Sequence, residues 1–590
     1  MLRGSSRLLS LVAALGAVSL AVPGAQAGPG GRPATGGDGQ ASTADLAARI
    51  DALMEAAWAE ARVAPAAPAS DAEFLRRLHL DATGVIPDED TVRAFLASPA
   101  PDKRARLVRD ALASDGFNRT MALRWAYPLV GRQFLFTTLG AKQMEQAAAR
   151  LQEAMQGGGM SPMDGGMADD APTSDGPVPP LVEWLEGRLR ENTPWDAVVR
   201  ELLTAEGSAS ENPATHWALR YARNGKAEEL AGSAVRVFQG LQIQCAQCHD
   251  HPYTDWTQHD FYGVAAFFSR TAVRRDPPPE GSNKKQGPFV VHERPNRQLR
   301  IPAPPGETGR LALPRFLTGE VVGPGNGVDR RAELAKLMTS PANPYFAKAT
   351  VNRVWSFFFG RGLIDPVDDL EAQDARHPAV LDLLVADFKR SGHDLRRLCE
   401  AILLTRAYGL SSGGADGEAA EVREAQVAAF ARAPLRSLSA EQLFYSVLAA
   451  TGAEDVRTQD RRQRARLERT KLTLLRKFVQ TFGDDEGQEV VDEGTIPQAL
   501  LLLNGPLTND AIRPRPGHPV YDRLFRMKSN DERIETIYLR TLGRMPAPAE
   551  RAVLREALAA PEARTAAGQA QALSDVYWAL LNSSEFAFNH

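Results

Sequence analysis

The sequence predicts a mainly α protein, a multi-helical chain in two parts joined by a Pro/Gly-rich segment with a few short strands. Three observations carry this. Apolar residues recur at helical spacing along most of the chain, and Gly, Pro, Ser and Asp cluster where those stretches end. Residues 271–327 break the pattern with Pro277-Pro278-Pro279, Pro304-Pro305-Gly306 and Gly323-Pro324-Gly325. At 590 residues, 43% of them hydrophobic, the chain can build a large core and more than one domain. A formal charge of −4 gives no general reason to expect nucleic acid or an anionic membrane as partner.

Taken in order, Arg3 and Arg7 precede an apolar run from Leu8 to Val22, and Ala25-Gln26-Ala27 supplies the small residues that a signal peptidase needs. Residues 1–27 therefore read as a signal peptide, and the mature protein as periplasmic or secreted. No later run reaches the roughly 20 apolar residues of a membrane span, so no transmembrane segment is expected after cleavage. Residues 28–42 are a Gly/Pro/Ala/Ser tether of disordered composition.

The first helical part covers residues 43–270. Ser70-Asp71 can cap a helix with Phe74, Leu75 and Leu78 on one face, and Gly84 followed by Pro87 ends it. The next helices carry Val92, Phe95 and Leu96, then Leu107, Val108 and Leu112. Residues 153–180 turn to Met, Gly, Asp and Pro, the composition of a flexible insertion. Helical patterns return at Leu181 to Leu189, Trp195 to Leu203, Glu228 to Leu241 and Asp260 to Phe268.

In the linking segment, residues 271–327, Phe289-Val290-Val291 reads as a short strand. The second part, residues 328–590, holds helices over Leu334 to Met338, Tyr345 to Phe359, Val380 to Phe388 and Leu395 to Leu404. Nine Arg and Lys between Arg457 and Lys477 form a basic helical face, read as solvated. A helix, Gly-x-x-Pro turn, helix unit recurs near both ends, at Leu80, Gly84, Pro87 and at Leu539, Gly543, Pro546. Glycine there permits a left-handed cap and the proline stops the helix, which predicts two similar hairpins.

Chemistry concentrates at Cys245-Ala246-Gln247-Cys248-His249, which uses two of the three cysteines. The spacing is that of covalent c-type haem attachment. Two thiols so placed can add across the two vinyl groups of one porphyrin, and the adjacent imidazole can hold the iron. In that reading Cys245, Cys248 and His249 bind haem c, and a redox partner outside the cytoplasm follows. A sixth ligand could come from His216, His259 or a methionine, or the position could stay open.

Other chemistries use the same residues. Cys245 and Cys248 with His249, His251 and His259 offer enough donors for zinc or another transition metal. The two cysteines could instead close a local disulfide in an oxidising compartment. Either would suit an extracytoplasmic binding or scaffold protein, including one associated with polysaccharide processing. Tyr253, Trp256, Phe261, Tyr262, Phe267 and Phe268 read first as core. Asp365, Asp368, Asp369 and Glu371 read as a solvated acidic turn, and Cys399 as a buried apolar residue. No Gly-x-Ser-x-Gly, phosphate loop or nucleotide fingerprint is present, and no acid, base or nucleophile stands out, so catalysis stays open.

Gly240 to Pro252 with Trp256-Thr257-Gln258 resembles the planctomycete cytochrome-c-like domain of unknown function, and Phe74 to Gly84 resembles that domain's N-terminal signature. Asn343-Pro344-Tyr345, Val351-Asn352-Arg353-Val354-Trp355, Gly360-Arg361-Gly362-Leu363, Ala499 to Gly505 and Leu580 to Phe586 are similar to the planctomycete-specific domain that usually follows. The resemblance spans most of the mature chain and implies no activity. Many such relatives add a separate N-terminal cytochrome domain. With no second Cys-x-x-Cys-His, this chain has no multihaem relay of its own.

Overall fold

The computed structural model describes residues 41–132, 179–222, 226–278, 287–303, 308–323, 327–414, 417–452, 511–514 and 518–590, with a few single positions between them. The signal peptide, nearly all of the tether, the insertion up to residue 178, most of the basic stretch and the 499–505 motif lie outside the described residues.

The N-terminal part opens with helices α1 (Thr43–Ala61), α2 (Asp71–Thr83), α3 (Glu89–Ala97), α4 (Lys103–Ala113) and α5 (Asp115–Val130). Their boundaries follow from local chemistry. The Ser70 hydroxyl accepts the Glu73 N–H at 3.1 Å, and Gly84 closes α2 in the left-handed region at φ 74°. Helices α6 (Pro180–Arg190), α7 (Trp195–Thr204), α8 (Thr215–Ala222), α9 (Ala227–Phe238) and α10 (Gln258–Phe268) complete this part.

The linking segment contributes two strands of a small antiparallel sheet, and the first helical part contributes the third. The sheet's strands β1 (Gly207–Ser208), β2 (Thr271–Arg275) and β3 (Phe289–Glu293) lie in the order β1-β3-β2. Thr271 pairs with Glu293 and Gly207 with Val291. β3 is the strand expected from Phe289-Val290-Val291. β1 was not legible, because two residues between helices carry no period.

The C-terminal part contains α11 (Arg330–Met338), α12 (Phe346–Phe359), α13 (Pro378–Arg390), α14 (Leu395–Leu403), α15 (Ala420–Ala428) and α16 (Ala440–Thr451). It ends with α17 (Pro519–Arg526), α18 (Asn530–Thr541), α19 (Pro548–Ala559), α20 (Ala566–Leu581) and α21 (Ser584–Ala587). Strand β4 (Arg436–Ser437) pairs antiparallel with β5 (Phe588–Asn589).

Residues Thr43–His590 form one compact unit, and a continuous core runs through both parts. Polar groups stitch them at specific points. The Trp58 indole donates to the Ala429 carbonyl at 2.8 Å. Asp81, fully buried, accepts from Arg436 at 2.6 Å, Asn589 at 2.8 Å and the Tyr408 hydroxyl at 2.9 Å. Arg76 donates to the carbonyls of Thr541, Glu585 and Phe586. A buried carboxylate and guanidinium are tolerable only with partners of this kind, although the Arg76 Nε itself is left without one among the described residues.

The two hairpins foreseen near the chain ends are present, and they touch. Gly84 and Gly543 both take positive φ, at 74° and 70°. A Cβ placed on Gly543 would stand 3.8 Å from Pro87 of the first hairpin. Arg93 of α3 reaches Glu535 of α18 at 2.5 Å, and the Thr536 hydroxyl donates to Glu89 at 3.3 Å.

Candidate functional site

The cysteine motif sits on the loop between α9 and α10. Gln244–Gln247 forms a single 3₁₀ turn, and Ala246, fully buried, pins it to the core. Cys245 lies within that turn and Cys248 follows it as its C-cap. Both are exposed and unbonded to each other. Glycine is needed at two points beneath them. Gly240 holds φ 63° and lies where a Cβ would come within 2.9 Å of Leu370. Gly232 on α9 leaves room for Gln244, whose side chain would stand 2.8 Å from an added Cβ.

The N-terminus of α10 staples the far side of the loop. Thr257 and Asp260 make a reciprocal capping box there. The Gln258 side-chain amide donates to the carbonyls of Gln247 at 3.1 Å and Cys248 at 3.3 Å. The Gln258 N–H donates to the Asp250 carboxylate at 2.9 Å, and the His251 N–H to the Trp256 carbonyl at 2.8 Å. Asp260 also holds Arg315 at 2.7 Å. Asp250 and Asp260, which crowd the motif in sequence, are thus consumed by capping and pairing.

Hydrogen-bond direction separates the three histidines. His249 Nδ1 lies 2.7 Å from the Asp250 carbonyl, which can only accept, so Nδ1 carries the proton and Nε2 presents a lone pair. His251 Nδ1 faces the backbone N–H groups of Tyr253 at 3.3 Å and Thr254 at 3.1 Å, which can only donate. Its proton therefore sits on Nε2. His259 Nδ1 faces the Arg315 guanidinium at 3.4 Å, and the same reasoning places its proton on Nε2. His249 alone among the three offers Nε2 as a ligand in the neutral ring. His216 likewise donates through Nδ1, to the Pro213 carbonyl at 2.9 Å, and burial pushes its ring below the usual imidazole range.

Among the described residues, no group of three or more His, Cys, Asp and Glu side chains converges in a way that could hold a metal ion. Phe261, Tyr262, Phe267 and Phe268 are core, as the helical spacing of α10 implies, whereas Tyr253 is 91% exposed beside the motif. The Tyr262 phenol lies under the loop and is pushed up by its burial first, then by Glu228 and Cys248. Cys399 is buried, and desolvation pushes its thiol well above the ordinary range.

Sequence reasoning missed the neighbour of this loop. The acidic segment of residues 365–371 is not a free solvated turn. Asp368 accepts from Gln242 at 3.0 Å and pairs with Arg236 at 3.6 Å. The Leu370 N–H donates to the Gly240 carbonyl at 2.7 Å, and Glu371 accepts the Trp256 indole N–H at 2.8 Å.

Residues 49–133 and 165–273, which include the cysteine loop, match the model of a protein of unknown function (DUF1549). Residues 330–558, which include the acidic segment, match that of another protein of unknown function (DUF1553). Both halves match domains of unknown function. The pairing is typical of planctomycete proteins, and neither match assigns a haem. No curated protein and no solved structure matches the chain. No helix among the described residues is long and apolar enough to cross a membrane.

Proposed function

We propose that the chain is an exported monohaem redox protein that takes haem c at Cys245, Cys248 and His249 for electron transfer in the periplasm or outside the cell. The observation that carries this is the 2.7 Å contact of His249 Nδ1 with the Asp250 carbonyl, which occupies that nitrogen and leaves Nε2 as the one to ligate. Proximal ligands are oriented by such a bond from the non-ligating nitrogen. Two exposed, unbonded thiols, one within the 3₁₀ turn and one at its C-cap, support the same reading.

The chain's own part in attachment is simple. Cys245 and Cys248 would hold the group through two thioether bonds, each thiol adding its sulfur and its hydrogen across one vinyl double bond with no net oxidation, and His249 would ligate the iron. Gln258 and Asp250 keep the backbone of the loop fixed while the Asp250 carbonyl holds the His249 ring turned. When bound, the haem supplies a one-electron iron couple. The rival zinc set is weakened because His251 and His259 carry their protons on Nε2.

The test is expression of the full chain in a host with a cytochrome c maturation system, followed by a pyridine haemochrome spectrum and the mass of the denatured chain. Covalent haem is expected and should be lost in the Cys245→Ser, Cys248→Ser double variant, while His249→Ala should alter the absorption spectrum of the native protein recorded without pyridine. Intact wild-type protein with no covalent haem would sink the proposal. Bound zinc or copper by elemental analysis, or a Cys245–Cys248 disulfide by thiol titration, would then name the scaffold role instead.

A further inference from the structure

The cysteine loop is held from two directions. From its own domain it is held by α10. From the other family's domain it is held by residues 365–371, through four contacts spread along its length. The Leu370 N–H meets Gly240 at the loop's entry, and Asp368 holds Gln242 two residues further on. Asp368 also reaches Arg236 in the last turn of α9. Glu371 meets Trp256, whose carbonyl in turn accepts the His251 N–H beyond the motif. Glu371 lies 115 residues from Trp256 along the chain. Tyr345, at the start of α12, completes this junction, and its phenol is pushed up by burial first and then by the Glu371 carboxylate.

Chemistry at each contact favours a positioning role over incidental proximity. Asp368 is 9% exposed and binds one amide and one guanidinium, so its carboxylate is desolvated only because both partners are in place. Gly240 favours glycine through its positive φ, and the 2.9 Å approach of Leu370 from this junction leaves no room for a Cβ there. The loop's path therefore cannot be drawn without the C-terminal domain.

We propose that residues 365–371 of the C-terminal domain position the Cys245–His249 loop, with Asp368 and Glu371 as the two anchoring side chains. The site is then a property of the paired domains rather than of the one that contains the cysteines. The positioning stands independently of the haem reading; only its consequence for haem attachment rests on that reading.

The test uses the full chain as wild type, Glu371→Ala, Glu371→Gln and the Asp368→Ala, Glu371→Ala double variant. Hydrogen exchange is followed by mass spectrometry on peptides covering residues 240–258, with peptides from α2 and α5 as the global control. In the double variant, exchange over 240–258 should rise about tenfold while the control peptides keep wild-type rates. Glu371→Gln keeps an acceptor for the Trp256 indole and should stay close to wild type. Wild-type exchange over 240–258 in a folded double variant overturns the proposal, as does a Glu371→Gln variant as loose as Glu371→Ala. Should the double variant fail to fold, Glu371→Ala alone decides, since Glu371 is exposed. In a maturation host the double variant should carry less covalent haem than wild type. A haem-free wild type would defeat the proposed function and leave the exchange result to judge the positioning.

Discussion

At the scale of single residues, the chemistry of the candidate site turns on which nitrogen of each imidazole holds a proton. The motif itself was legible, because two of three cysteines and a histidine fall in five consecutive positions. The distinction between His249 and His251 was not, since both occur in the same run and only the backbone groups facing each ring assign its tautomer. A second histidine makes a sharper claim about pH. Burial pushes the His79 ring down to about 4, against the opposing pull of Asp88. The folded state therefore holds His79 neutral where the unfolded chain, with an ordinary ring near pH 6.5, takes up a proton. Its contribution is fully present above about pH 6.5 and is lost as the pH falls towards 4. Urea unfolding at pH 7 and pH 4.5 should show the wild type losing about 1–2 kcal/mol more than His79→Gln over that interval. Equal losses in both proteins would mean that His79 is solvated in the folded state.

At the scale of elements, the paired hairpins show what local pattern can and cannot reveal. Leu, Gly and Pro at fixed offsets foretell the turn after Leu80 and again after Leu539, because the need for a left-handed residue and a helix stop is local. That α3 reaches α18 through Arg93 and Glu535 is invisible locally, since 442 residues separate them. The two glycines should also respond differently to alanine. At Gly543 the added Cβ finds nothing nearer than 3.8 Å, so only the positive φ is penalised, by about 1 kcal/mol. At Gly84 it would come within 2.7 Å of the Thr120 hydroxyl, so Gly84→Ala should cost about 1 kcal/mol more. Urea midpoints of the two variants check the order, and equal costs would mean that Thr120 rotates away freely. The three-stranded sheet follows the same logic: β3 announces itself with Phe289-Val290-Val291, while β1 exists only because β3 has an edge to offer.

At the scale of the whole molecule, helical class and the Pro/Gly-rich joint were legible from periodicity and composition, whereas the shared core and the junction over the cysteine loop were not. Both depend on tertiary partners far apart in the chain, as Gln242 and Asp368 are at 126 residues. The final segment is the extreme case. Asn589 bonds Asp81, the Glu585 and Phe586 carbonyls take Arg76, and the His590 carbonyl takes Arg77 at 3.3 Å. Removing residues 583–590 should leave those buried charges partly unsatisfied and cost about 3–5 kcal/mol. Thermal and urea melts of the truncated chain test this, and wild-type midpoints would show that water satisfies α2 instead. The same contacts have a bearing on biosynthesis. The guanidinium of Arg76 leaves the ribosome 509 residues ahead of one of its acceptors, so α2 cannot reach its final environment until that distant segment has been made. The helix is made first, and the groups that lock its buried guanidinium arrive long after it.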